Sequence, residues 1–348
     1  MIQRIKAWLL RTLCGHEKCK QINEDDLTSF AFLRYDRIGD LIVSLPLVKA
    51  LKNHFPHASL TIIASESNAP VAEYSGLFSS VEIRQTNIFA WIYQLWSMRK
   101  RFDVVVDLNH SVAPHAIFAI LVLNPKHVAS PFKEGRWGVK GSELRRFNIM
   151  PKASPKALHR PMSEIYLDIA RLLSCDPVCT TPYPLDPNFL ERQTNRTIIL
   201  NHRGSRPNMR LPDDHLLEIV RSIKRIRPSY SILMFPENTD FYIIKKLMKD
   251  QTNVEVMQPT PTIVPVIEAI KVAALVITPD TALVHIASAF SKPLIAVYAN
   301  EPTLFTQWKP LNAAPTITIF SAHNKSLEGY DSQYLSLAVK ELAEKLPD

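Results

Sequence analysis

The chain has 348 residues, 46% apolar and 21% charged, with 26 prolines but only 8 glycines. That composition excludes disordered, collagenous and coiled-coil proteins, and the length suits two domains of ordinary size. The formal charge of +8 lies wholly in residues 1–175, where 23 Lys/Arg face 15 Asp/Glu, whereas residues 176–348 balance at 18 against 18. The two halves should therefore meet different partners, the basic one an anionic membrane, a phosphorylated substrate or nucleic acid. In chain order, Met1–Leu13 interleaves Arg4, Lys6 and Arg11 with Ile2, Ile5, Trp8, Leu9 and Leu10. This is the pattern of a short helix that either lies in a membrane interface or docks on the domain. Phe30–Arg34, Leu60–Ala64, Val81–Arg84 and Val104–Leu108 are apolar runs of strand length. Leu41–Phe55, Ile88–Arg99 and Ala113–Leu123 between them have helical length and spacing, so a parallel sheet covered by helices is predicted. Residues 125–160 are weakly periodic. From Arg84 to Arg160 thirteen Lys/Arg stand against four Asp/Glu, and Arg136, Lys140, Arg145 and Arg146 fall in a stretch too irregular for core. It reads as a mobile basic loop over an anionic substrate, or as a solvated loop without one. A helix over Met162–Leu173 closes this half.

Residues 176–190 hold Pro177, Pro182, Pro184 and Pro187, which reads as a stiff linker because proline continues neither a helix nor a central strand. The alternation restarts within residues 191–325. Thr197–Asn201, Ser231–Phe235, Val254–Met257, Leu275–Thr278 and Leu294–Tyr298 are predicted strands, with helices over Asp213–Arg227, Thr239–Lys249, Ile263–Lys271 and Thr281–Phe290. In the last segment, 326–348, Tyr334–Leu346 forms an amphipathic helix able to pack back on the N-terminal domain. The expected fold class is α/β, with two doubly wound Rossmann-like domains and a ligand cleft at the carboxyl ends of the strands.

No GxGxxG, GxxxxGK[ST] or GxSxG motif occurs, so nicotinamide enzymes, P-loop NTPases and serine hydrolases lose support. The shortage of glycine also argues against a glycine-rich phosphate cradle. Cys14, Cys19, Cys175 and Cys179 are too few for a disulfide framework and lack the spacing of a zinc knuckle. They suggest free thiols in a reducing compartment. No signal peptide is evident, and the apolar stretch Ala116–Leu123 is too short to span a bilayer. A soluble cytoplasmic protein is expected.

Two constellations carry chemistry. Leu33-Arg34-Tyr35-Asp36-Arg37-Ile38-Gly39-Asp40 follows the first strand and opens the first helix. Gly39 lets the chain approach a ligand, and Asp40 is either a helix-capping carboxylate or a general base. Arg34 and Arg37 either hold anionic groups or pair with Asp36. The second is Thr278-Pro279-Asp280-Thr281-Ala282-Leu283-Val284-His285, a strand end and helix start. Asp280 and Thr281 are capping residue types, and first-turn amides make an anion site. His285 is either a further diphosphate ligand or a core histidine.

The Arg34–Asp40 segment, followed by Leu45-Pro46-Leu47-Val48-Lys49-Ala50-Leu51-Lys52 and Phe55-Pro56, resembles the amino-terminal motif of glycosyltransferase family 9. This is the family of ADP-heptose:lipopolysaccharide heptosyltransferases. Asp280–Ala287, then Lys292-Pro293, is similar to its carboxyl-terminal Asp-Thr-Gly-x-x-His motif. The resemblance implies a GT-B fold over essentially the whole chain and an inverting transfer of heptose from ADP-heptose, with no metal or cofactor. The acceptor it implies is the Kdo or heptose of an anionic, Kdo-lipid A type inner core, met at the inner face of the inner membrane by peripheral contact. No nucleic acid partner is expected.

Residue by residue, Asp40 matches the catalytic base. Asp280, Thr281, Ala282, Leu283 and His285 match the donor diphosphate site. Ser205 falls where hydroxyl contacts to phosphate are made, Glu237 where an acid holds the ribose, and Pro261 near the adenine pocket. Arg37, Arg136, Lys140, Arg145 and Arg146 are the candidate acceptor contacts. The sequence departs from the family pattern in three places. Met209 stands where a lysine is usual, leaving Arg206 or Arg210 to supply the charge; Ala282 replaces a glycine; and Ala299-Asn300-Glu301-Pro302 replaces Gly-Pro-Thr, with Glu301 set to repel a nearby diphosphate. These leave open a GT-B nucleotide-sugar enzyme with another donor, such as a hydrolysing epimerase. They also leave open a non-catalytic basic binding protein for an anionic glycolipid or nucleic acid.

Overall fold

The structure, a computed structural model, describes residues 2–16, 22–152, 159–176, 183–186, 189, 194–204, 206 and 208–347. Cys19, Cys179, Pro177, Pro182, Pro187 and Ser205 lie outside the described residues. The chain divides into two units, Met1–Thr180 and Thr181–Asp348.

The first unit runs α1 (Ile2–Cys14), β1 (Ser29–Arg34), α2 (Ile38–His54), β2 (Ser59–Ala64), α3 (Ala69–Ser75), β3 (Ser80–Ile83), α4 (Ile88–Ser97), β4 (Val104–Asp107), α5 (Pro114–Leu123), β5 (His127–Ala129) and α6 (Met162–Leu172). Its sheet is parallel, in the order β3-β2-β1-β4-β5. Side-chain alternation sorts the core into two faces. Phe30 and Phe32 meet Phe55 and Phe78, with ring centroids 5.3 and 5.7 Å apart. On the other face Ala31, Leu33 and Val105 pack with Ala7, Leu10, Trp91, Leu95, Ala116 and Ile120 in one cluster. Helix α2 packs against α6 and α3. It is buried almost all round, from Leu41 to Val48 without a break, which is why it shows no amphipathic period.

The second unit contains β6 (Thr197–Leu200), α7 (Asp213–Ile226), β7 (Ser231–Met234), α8 (Phe241–Leu247), β8 (Val254–Val256), α9 (Val264–Val272), β9 (Leu275–Pro279), α10 (Ala282–Ala289), β10 (Leu294–Tyr298), α11 (Pro302–Trp308), β11 (Thr316–Phe320) and α12 (Ser332–Glu344). Its parallel sheet has the order β11-β10-β9-β6-β7-β8. In each sheet the strand order reverses once, between β1 and β4 and between β6 and β9, the points where open α/β sheets form a crevice at the strand ends.

Three expectations need correction. The final helix packs on α7 of its own unit. Its apolar face of Leu335, Ala338, Val339, Leu342 and Ala343 is buried there, and Arg227 binds the carbonyls of Glu344 and Leu346 at its end. The basic segment after α5 is not a loose loop. It contributes β5 and buries Val139, Leu144, Phe147 and Ile149, isolated apolar residues without a period. Its Lys133 is fully buried, 3.0 Å from the equally buried Asp107. Finally, the described part of the expected linker is packed. Tyr183 and Leu185 are buried, and Asp186 pairs with Lys271 at 2.6 Å.

The amino-terminal helix α1 docks through Ala7, Leu10 and Cys14. Arg11 holds Glu143 at 2.8 Å and Lys6 lies over the Trp137 ring.

Candidate active site

In the first unit, the β1–α2 junction lies at the sheet's reversal point. Arg37 is the N-cap of α2, so Asp40 occupies the third helical position and its carboxylate reaches back to the Arg37 amide, as a capping-box acid does. Behind it, Arg34 is 2% exposed. It donates to Asp36 Oδ2 at 3.2 Å, to the Asp40 main-chain oxygen at 2.9 Å and to the Tyr166 hydroxyl on α6 at 2.8 Å. Arg34 is thus a buried pin that fixes the first turn of α2, and the cation left in solvent at this junction is Arg37. The Asp40 side chain keeps 17% of its surface, with Oδ1 3.9 Å from Arg34. Burial pushes its pKa above the ordinary carboxylate value; Arg34 opposes the rise and Asp36 adds to it. A rigid, partly desolvated carboxylate of raised basicity is what abstraction of a proton from a hydroxyl requires.

Beside it, at the end of β4, Asp107 accepts from Asn109 Nδ2 at 2.7 Å and pairs with Lys133. Lys133 also donates to the Asn109 carbonyl and lies over Phe147. This anchor fixes the start of the segment in which Arg136, Lys140 and Arg145 are exposed. Arg136 donates to the Val112 carbonyl at 2.8 Å. Arg146 is half-buried, its amide bonded to the Cys14 carbonyl at 2.9 Å and its guanidinium near Asn124. It is thus set apart from the three exposed cations.

In the second unit, the loops after β6 and β9 meet at the other reversal point. Thr281 caps α10, its hydroxyl accepting from the Leu283 amide at 3.2 Å. A relay of Asn201, Thr278 and Thr281 side chains, at 3.0 and 3.1 Å, holds the cap from below. The Val284 amide is taken by the Thr281 carbonyl. Ala282, first in the helix, therefore has the first-turn amide without an intrahelical acceptor.

His285 is 4% exposed, with its ring edge-on to Tyr183 at 5.5 Å. Burial lowers its pKa to about 4, so at neutral pH it is an uncharged imidazole and adds no cation to the helix end. Because an unfolded histidine titrates near 6.5, the stability this neutral ring contributes is complete above that pH and is lost as pH falls through 4. The stability of wild type relative to His285→Gln should accordingly drop by about 3 kcal/mol between pH 7 and pH 4. Thermal melts of the two proteins across that range check this, and parallel curves would place the imidazole in water.

The loop from His202 to Arg210 closes on itself. Gly204 donates to the Met209 carbonyl, and a Cβ at 204 would lie 2.7 Å from Met209 Cβ and 3.0 Å from Met209 O. Only glycine fits there. Met209, in the usual lysine's place, is 8% exposed and part of the unit's core. Arg210 is tied to Asp213 at 2.5 Å, whereas Arg206 is exposed. Sequence reasoning passed over Arg203, which donates to Asp240 Oδ2 at 2.7 Å and lies 3.5 Å from Glu237 Oε2. Glu237 therefore already faces a cation. Buried His202 stands 3.4 Å from the same Asp240 oxygen. Pro261 is exposed just ahead of α9, and Glu301 is exposed at the head of α11.

Residues 174–334 match the family model for glycosyltransferase family 9 (heptosyltransferase). A protein from Escherichia coli (strain K12), provisionally named lipopolysaccharide heptosyltransferase 4, is 29% identical over 98% of this chain and 95% of its own. Among solved structures, E. coli heptosyltransferase WaaC with ADP aligns at a TM-score of 0.71 and 16% identity, over 90% of this chain and all of that one. E. coli ADP-heptose lps heptosyltransferase II aligns at 0.70 and 17%, over 91% and 99%. These likenesses give the chain the GT-B type of fold with two Rossmann-like domains, in agreement with the fold class expected from sequence.

Proposed function

We propose that the chain transfers heptose, with inversion, from ADP-heptose to a Kdo or heptose residue of the lipopolysaccharide inner core, at the cytoplasmic face of the inner membrane. The observation that carries this reading is Asp40, a fixed and largely buried carboxylate of raised basicity at the reversal point of the first sheet. In the reaction the acceptor hydroxyl gives its proton to Asp40 while its oxygen bonds to the anomeric carbon. The bond from that carbon to the diphosphate breaks, and its electron pair leaves with ADP. The charge appearing on ADP falls to the amino end of α10, through the Ala282 amide and the helix dipole, with exposed Arg206 supplying positive charge in place of the usual lysine. No metal or cofactor enters this scheme. Exposed Arg37, Arg136, Lys140 and Arg145 suit an acceptor carrying several negative charges.

The choice of heptose is supported by relatives. The E. coli neighbours are named heptosyltransferases, and one was solved with ADP-2-deoxy-2-fluoro heptose. The test is a matrix of purified protein, sugar nucleotides and defined acceptors, read by mass spectrometry. ADP-heptose with a Kdo-lipid A acceptor should give a product heavier by one heptose. Turnover only with another sugar nucleotide, or release of free sugar without transfer, would overturn the proposal.

A further inference from the structure

Helices α1 and α4 each have two apolar sides. One side of each, Ala7, Leu10 and Cys14 in α1 and Trp91 and Leu95 in α4, is buried in the same core cluster. Their outer sides therefore look out from one face of the first sheet. Those outer sides are apolar as well. Phe89, Tyr93 and Trp96 are 77%, 75% and 60% exposed, and Ile5, Leu9 and Leu13 follow the helical repeat on α1. Ten of the eighteen large apolar side chains that the described residues leave exposed fall on these two helices. Scattered exposed apolar residues need no explanation, but such a concentration does.

Charge decides what covers this face. Neither α1 nor α4 contains an acidic residue, and the neighbouring α5 contains none either. The cations beside the apolar stripes are Arg4 and Lys6 on α1, and Arg99, Lys100 and Arg101 directly after α4. Arg99 lies over the Trp96 ring, with 4.6 Å from guanidinium carbon to ring centroid, and Lys6 lies over Trp137. Glu143, which reaches α1, is neutralised by Arg11. Tryptophan and tyrosine beside arginine and lysine, on an apolar helix face without acids, match the headgroup zone of a bilayer. A second copy would bring the same cations against themselves. No helix among the described residues is long and apolar enough to cross a membrane, so contact would be peripheral.

We propose that the outer face of α1 and α4 is a docking surface for an anionic phospholipid bilayer. The proposal rests on no assumption about the sugar transferred. The test is sedimentation of the full chain with vesicles of phosphatidylglycerol and phosphatidylethanolamine, against vesicles of phosphatidylcholine. Wild type should partition onto the anionic vesicles, with a blue shift of tryptophan emission, and should release as salt is raised. The variants F89S/Y93S/W96S and I5S/L9S/L13S should each weaken partitioning by about tenfold or more. The α4 triple variant changes only solvent-facing side chains and should keep the wild-type melting temperature, so lost binding would not reflect unfolding. Equal binding to neutral vesicles, unchanged partitioning of both variants, or self-association that the variants abolish without any vesicle binding would each overturn the proposal.

Discussion

Asp40→Asn should lower kcat for heptose transfer by about 10²- to 10⁴-fold, the contribution of a positioned general base, while donor affinity stays within about twofold. The substitution is nearly isosteric. Asn keeps a carbonyl oxygen for the Arg37 amide, and Arg34 binds the main-chain oxygen of residue 40, which does not change. Geometry therefore survives and only proton abstraction is lost. In the proposed reaction, donor affinity rests on the other unit, where α10 and the β6 loop lie, and titration calorimetry with ADP-heptose measures it separately. The pH dependence gives a second readout. Because burial raises the Asp40 pKa, the acid limb of kcat/KM should lie above the ordinary carboxylate range near 4. Retained turnover in Asp40→Asn would remove this residue from the base role, and an equal loss of donor binding would mean that the turn had collapsed.

Lys133→Met should be the most destabilising single change in the first unit, costing about 3–5 kcal/mol. Lys133 and Asp107 are both 0% exposed and 3.0 Å apart. Removing the ammonium leaves a buried carboxylate whose remaining side-chain partner is Asn109. For a unit of this size the melting temperature should fall by about 10 °C. The double variant Asp107→Asn, Lys133→Met should recover at least half of the loss, since no charge is then stranded and residue 107 can still accept from Asn109. A single variant that melts like wild type, or a double variant no better than the single, would contradict a buried ion pair. Acceptor KM should rise in the single variant as well, because Lys133 anchors the segment bearing Arg136 and Lys140.

Much of this fold could be read from the chain because its central strands are uninterrupted apolar runs. β1 and β10 fall within a residue of their expected bounds, and α7 is marked by strict amphipathic spacing. Of the edge elements, β3 and β8 were legible but others escaped. β5 is three residues long, β11 alternates threonine with isoleucine, and α3 and α11 are seven-residue helices that begin at or beside proline and read as loop. At the candidate site, Asp40, Thr281 and His285 could be singled out because each follows a recognisable strand end, but that His285 is buried among the core was not legible. The Asp107–Lys133 pair and the Arg203–Asp240 pair were not, since 26 and 37 residues separate the partners and only the folded sheet brings them together. The α4 stripe was hidden differently. Trp91 and Trp96 look alike in sequence, and only packing shows that one is core and the other faces solvent.

Each sheet reverses once, and each reversal carries its own working loops over its own core. That arrangement is modular. On the proposed function, drift at Met209, Ala282 or Glu301 would retune recognition of the sugar nucleotide without disturbing the carboxylate that Arg34 holds in the other half of the chain. Exchange of the β6 and β9 loops between relatives would then be a route to new donor specificities with the proposed acceptor half unchanged.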